Sequence, residues 1–211
     1  MSKLVTVAQA EQLRKMANEK RVDREVFQTK LLDNGMMSHV LDAIKEGTSI
    51  TFGVPLVPPL GGRIHPLKVK FQLDQEWQAA INVAGPGTSD NYNVRKVGNL
   101  YPPTGVGIIE EELILLNYPK GGGSWDKALA WAEQFRLRRT DPRRVFAVGK
   151  DHPKFNYELG VNPTYVVATE ECTFGGPRQA CSVWWLGSEC YAGLSWVEDY
   201  GRASDWFAFR K

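Results

Sequence analysis

The period of the apolar positions changes along this chain. Over residues 1–47 they recur at helical spacing. Thr6 and Gln9 form a capping box ahead of a run of helix formers that reaches Lys20. A second helix opens at Asp23, with Val26, Phe27, Leu31 and Leu32 on one stripe, and ends at Asn34-Gly35. A third sets Met37, Val40, Leu41 and Ile44 at the same spacing before Gly47. Residues 48–63 then turn apolar and proline-rich. Pro55, Pro58 and Pro59 exclude a regular helix or a central strand there, so this stretch is the expected domain boundary.

Beyond the boundary the period shortens. Leu67, Val69, Phe71 and Leu73 alternate with polar residues and predict a half-buried strand. Asp74 is the expected cap of a short helix that stops at Gly85-Pro86, and residues 85–107 are expected to form a long polar loop. Residues 113–116 (LILL) predict a buried strand, Ser124 caps an amphipathic helix over 125–138, and residues 145–148 (VFAV) predict the next strand. Strand, helix and strand at this spacing suggest a crossover unit. The tail holds four strand-length runs: 164–169 (TYVVAT), 180–186 (ACSVWWL), 193–197 (GLSWV) and 205–210 (DWFAFR). Cys181, Val183 and Trp185 share one face of the second run, and Ser182, Trp184 and Leu186 share the other. Trp206 and Ala208 likewise oppose Phe207 and Phe209. Because both faces are apolar, these strands are expected to be central and largely buried.

Taken together, the pattern predicts an α+β chain: a helical segment over 1–47, then a mixed domain over 48–211 with a strand-rich, Trp-rich C-terminal core. Length and composition agree with a globular protein, since 211 residues are 43% hydrophobic and 24% charged. A net charge of +2 offers no bulk attraction for nucleic acid or membrane. No apolar run approaches a signal peptide or a membrane span, so a cytoplasmic protein is expected. Cys172, Cys181 and Cys190 are odd in number and have no CxxC or Cys/His cluster beside them. They predict reduced structural thiols, with no metal and no cofactor.

Four groups of residues invite a chemical reading. Lys120–Ser124 (KGGGS) lies between a strand and a helix, where glycine loops hold phosphate. Its lysine precedes the glycines rather than closing them, and a flexible connection explains it as well. Arg136, Arg138, Arg139, Arg143 and Arg144 suit either a phosphate backbone or a solvated helix end. Cys172 and His152, with Asp151 or Glu171 as orienting carboxylate, make a nucleophile–base set if the fold joins them. Residues 187–192 (GSECYA) and 198–204 (EDYGRAS) read as turns rich in Tyr, Ser, Asp and Arg, a composition suited to adaptable contacts between rigid aromatic strands. This last group leads to the expected function: a non-catalytic binding protein for a protein or peptide ligand, anchored by Tyr191, Tyr200 and Arg202. A Cys/His enzyme and an arginine-based nucleic-acid binder stand as alternatives.

The blocks 156–176 (NYELGVNPTYVVATEECTFGG) and 179–185 (QACSVWW), with the ending DWFAFR, resemble a family of proteins from small-genome candidate-phylum bacteria that has no assigned activity. The resemblance spans most of residues 60–211, and family members differ mainly between the WW pair and the WFAFR ending. A constant scaffold with a variable C-terminal stretch is in turn similar to the variable proteins of diversity-generating retroelements. Those display their variable residues on a C-type-lectin-like fold. Adenine-directed mutagenesis of Asn codons yields Leu, Ser, Cys, Tyr, Asp, Gly or Arg there, but neither Trp nor Glu. The similarity therefore implies that Leu186, Ser188, Cys190, Tyr191, Ser195, Asp199, Tyr200, Arg202, Ser204 and Asp205 are displayed to ligand. Trp184, Trp185, Trp196 and Trp206 would be scaffold. WFAFR departs from the GFR-like strand of those proteins, and their Asn-rich runs are missing here.

Overall fold

The alternation of Leu67, Val69 and Phe71 buries one side of β1 (Arg63–Gln72) in the computed structural model, which describes residues 56–85 and 92–211 together with residue 15. The chain divides into two compact units, Met1–Val54 and Pro55–Lys211. Apart from residue 15, which is helical, the helices expected over 1–47 lie outside the described residues. The second unit carries the sheet.

After β1 come α1 (Trp77–Val83), α2 (Tyr92–Lys96), β2 (Ile108–Asn117), α3 (Trp125–Gln134), the short β3 (Arg138–Arg139), α4 (Pro142–Asp151) and α5 (Phe155–Leu159). Then follow β4 (Thr164–Thr173), β5 (Arg178–Leu186), β6 (Glu189–Trp196) and β7 (Asp205–Arg210). The strand order is β1-β2-β7-β4-β5-β6, with β3 paired to the end of β7. Neighbours run antiparallel except β4 and β7, which are parallel. Helices together with a mixed sheet make the fold α+β.

Each face of the sheet buries a different cluster. On face one, Leu115, Val166, Val183, Trp185 and Trp206 pack with Ile81 of α1, Phe146 of α4 and Phe155 of α5. On face two, Leu116, Val167, Phe207 and Phe209 pack with Trp125, Ala128 and Trp131 of α3. Trp185 and Trp206 are almost fully buried, and each such ring stabilises the fold by roughly 3 kcal/mol through apolar area removed from water. Gly149 lets α4 approach α1 closely, because a Cβ there would sit 2.1 Å from the Ala84 carbonyl oxygen. The outer edge of β1 is capped by the end of α4. Lys150 Nζ donates to the Lys70 carbonyl at 2.7 Å, and His152 Nε2 lies 2.8 Å from that of Lys68.

Several expectations need correction. Residues 145–148 form part of α4, not a strand, so the crossover unit built on them is absent. Asp141 caps this helix by accepting from the N–H groups of Arg143 and Arg144, and Pro142 sits in its first turn. Four apolar residues cannot distinguish a buried helix from a buried strand. The Asp-Pro start signal outweighs the run. Ser124 does cap α3, accepting from Lys127 N, but the helix stops at Gln134 instead of Arg138, because Arg136 takes φ 55° and turns the chain into β3. Asp74 caps no helix. Its carboxylate accepts from Gly107 N at 3.2 Å, and α1 begins after Glu76. The expected loop 85–107 contains α2 and a 3-10 turn, Gly98–Leu100. Residues 189–192 belong to β6, which leaves Gly187 and Ser188 as the hairpin turn.

Candidate functional site

Strand parity places Tyr165 of β4, Trp184 and Leu186 of β5, and Tyr191 of β6 on face two. Register aligns the three aromatics, since Tyr165 pairs with Trp184 and Trp184 with Tyr191. Their rings stack in a row across three strands. The Tyr165–Trp184 centroids are 5.5 Å apart at 15°, and the Trp184–Tyr191 centroids 4.4 Å apart at 19°. All three rings are half-buried, and Leu186 beside them is 51% exposed. The Tyr191 hydroxyl donates to the Glu189 carboxylate on the same strand.

The row stays open because of the route the chain takes from β6 to β7. Residues 197–204 return over face two, starting with the 3-10 turn Val197–Asp199. Tyr200 is buried there. Its hydroxyl donates to Ser182 Oγ at 3.2 Å and also meets Ser195, and burial pushes its pKa well above the usual phenol value. The return thus covers β5 at Ala180 and Ser182 and leaves Trp184 and Leu186 beyond its edge. Asp205 holds the turn, its Oδ2 accepting from Gly201 N and Arg202 N, each at 2.9 Å, while Oδ1 accepts from Ser204 Oγ at 3.1 Å. Gly201 has φ 127°, and a Cβ there would lie 2.4 Å from the Gly123 carbonyl oxygen, so the return loop is seated against the glycine loop before α3. Arg202 is exposed and flanks the row. Burial raises the Tyr165 phenol pKa, the Arg202 charge pulls it down, and the Asp205 charge pushes it up.

Of the ten residues expected at a ligand surface, Leu186, Ser188, Tyr191, Ser195, Asp199, Arg202 and Ser204 are exposed or half-exposed, but Ser195 pairs with Ala180 and meets Tyr200, away from the row. Cys190, Tyr200 and Asp205 are buried and hold the framework. Burial pushes the Cys190 thiol up to about 12. Among the expected scaffold tryptophans, Trp185 and Trp206 are interior. Trp184 is half-open in the row, and Trp196 is 53% exposed at the end of edge strand β6. Sequence reasoning missed Tyr165 and Trp184 as surface aromatics. The face assignment of Trp184 was available from alternation, whereas Tyr165 needed the β4–β5 register.

The other candidate chemistries are distributed differently. Cys172 sits with Tyr101 and Cys181. Tyr101 is tied through its carbonyl to Arg143 near the start of α4, whereas His152 follows the helix at its other end, beside Phe155 and His65. Ten residues of helix rise about 15 Å, so the pair is not brought together. Arg143 and Arg144 point inward. Arg143 donates to the carbonyls of Gln75 and Tyr101, and Arg144 pairs with Asp141 and Glu111. Arg136, Arg138 and Arg139 are exposed, with Arg139 Nη1 3.7 Å from Glu171. All three cysteines are buried and free, and no cluster of three or more His, Cys, Asp or Glu occurs among the described residues. No helix among the described residues is long and apolar enough to cross a membrane. Compared with protein-family models, curated proteins and solved structures, the chain matches none.

Proposed function

We propose that this is a non-catalytic binding protein that takes a peptide or protein segment on the open part of face two. The observation that carries the reading is the stacked row Tyr165–Trp184–Tyr191. It is an aromatic surface kept half-exposed on a rigid sheet while comparable rings on the opposite face are interior. Stacking fixes the rings, so little side-chain entropy is lost on binding, and Leu186 and Arg202 add an apolar contact and a charged hydrogen-bond donor at the rim. Aromatic anchors of this kind commonly contribute about 2 kcal/mol or more each at an interface.

The test is a peptide-library selection against the full chain, followed by binding measurements on a Leu186→Asp/Tyr191→Ala variant. Selected peptides are expected to lose most of their affinity for the variant while its melting temperature stays within a few degrees. Equal binding to both proteins refutes the reading.

A finer version holds that the face is diversified in the manner of retroelement variable proteins, with the C-type-lectin-like character that the resemblance implies. Exposure of Leu186, Ser188, Asp199 and Arg202 supports it, and burial of Cys190, Tyr200 and Asp205 restricts where variation is tolerated. Aligned paralogues from one genome test it. Their differences should cluster within 186–204 and spare the three buried positions, and even scatter along the chain removes the idea.

A further inference from the structure

On the outer side of α3 lies a second concave surface, away from the aromatic row. A groove of about 610 Å³ runs between that helix and residues 57–61, and its walls include Pro58, Pro59, Trp131 and Phe135. Trp131 Nε1–H donates to the Val57 carbonyl at 2.8 Å and so ties the proline segment to the helix. One end of the groove differs from the other in charge. Lys127 in the first turn of α3, with Lys120 and the glycine pair Gly121-Gly122, lines the end near the helix N-terminus, while Gln134 and Phe135 line the end near its last turn. Lys127 Nζ donates to the Gly122 carbonyl at 2.7 Å, which leaves further donors on that ammonium, and Lys120 makes no hydrogen bond or ion pair among the described residues. No carboxylate lines the groove among the described residues. From Lys127 to Gln134 the helix rises about 10 Å, room for a bicyclic ring and one charged group.

A tyrosine in the groove wall adds a polar contact. Tyr118 is only 6% exposed, yet its hydroxyl meets no hydrogen-bond partner among the described residues. Water reaches that hydroxyl, which is not one of the fully buried unpaired polar atoms, and a ligand oxygen in the groove would take the water's place. Gly123 packs against that phenol ring, since a Cβ there would come 2.4 Å from its Cδ2, so the tyrosine is held in place by the glycine loop.

The geometry points to a binding site for a planar ring bearing a single anionic group. The ring lies between Trp131, Phe135 and the prolines. The anion sits at the lysine end, where the partial positive charge of the α3 N-terminus adds to the two ammonium groups. The site is separate from the aromatic row, and either can fail without the other.

The probes are 1-naphthyl phosphate and its neutral counterpart 1-naphthol, titrated into the full chain with amide and indole N–H signals followed by NMR. The charged probe is expected to shift the Gly121 and Gly122 amides and the Trp131 indole N–H saturably, with 1-naphthol about tenfold weaker or worse. Lys120→Glu, which removes no hydrogen bond or ion pair among the described residues, should weaken the charged probe by about tenfold or more and leave the melting temperature unchanged. Tyr118→Phe should weaken it by a smaller factor. Unmoved Gly121, Gly122 and Trp131 signals at millimolar probe overturn the site. Equal affinity for the two probes, or binding indifferent to Lys120→Glu, overturns the assigned ligand charge.

Discussion

Face one and face two of the sheet are built from the same strands and differ in what lies over them. On β5 the neighbours Trp184 and Trp185 point to opposite sides. Trp185 meets Phe155 at 5.7 Å beneath α5 and is fully buried, while Trp184 stacks between Tyr165 and Tyr191 and stays half-open. Both are large aromatics on one strand, so residue type does not separate framework from surface. The covering elements do. Helices α1, α4 and α5 lie over face one, whereas α3 and residues 197–204 cover face two only in part.

The largest test of this contrast is Trp185→Ala. It should cost about 3–5 kcal/mol or prevent folding, as for other large core aromatics, measured by denaturant unfolding. Next comes Asp205→Ala, which leaves the N–H groups of Gly201 and Arg202 without their carboxylate and should cost about 2 kcal/mol. Alkaline pH should act on the interior through its thiols and phenols. The Cys190 pKa rises from 9.0 to about 12 on folding, so its stabilising contribution is complete below the unfolded value and is lost between pH 9 and about 12. Unfolding free energy should fall by about 1.4 kcal/mol from pH 8 to pH 10 through this group, and Cys190→Ala should remove that part of the slope. The smallest stability effect belongs to Trp184→Ala, about 1 kcal/mol, because the ring is half-exposed and loses mainly its stacking partners. A Trp184→Ala cost matching that of Trp185→Ala would erase the distinction between the faces.

Much of this division was readable beforehand. Alternation in 180–186 and 205–210 assigned each side chain to its side correctly, since period-two parity survives whatever is later packed on the sheet. Ser124 as a cap was equally local. Three features were not read from the sequence, although Asp141-Pro142 ahead of the first did mark a helix start. The run 145–148 carries no period, so a capped buried helix and a buried strand look alike. Tyr200 and Asp205 sit in a segment whose Tyr, Asp, Gly and Arg suit a ligand loop, yet the same residues serve as turn-holders once that segment crosses the sheet. The openness of the Tyr165–Trp184–Tyr191 row depends on where the crossing falls, which is a property of the topology.

Hydroxyl-radical footprinting of the full chain, with and without a library-selected peptide, tests the central claim most directly. Trp184, Tyr191 and Leu186 should oxidise readily in the free protein and be protected by the peptide, while Trp185 and Trp206 remain unreactive in both states. Oxidation of Trp185 at the rate of Trp184, or peptide protection that spares Trp184 and Tyr191, would contradict it.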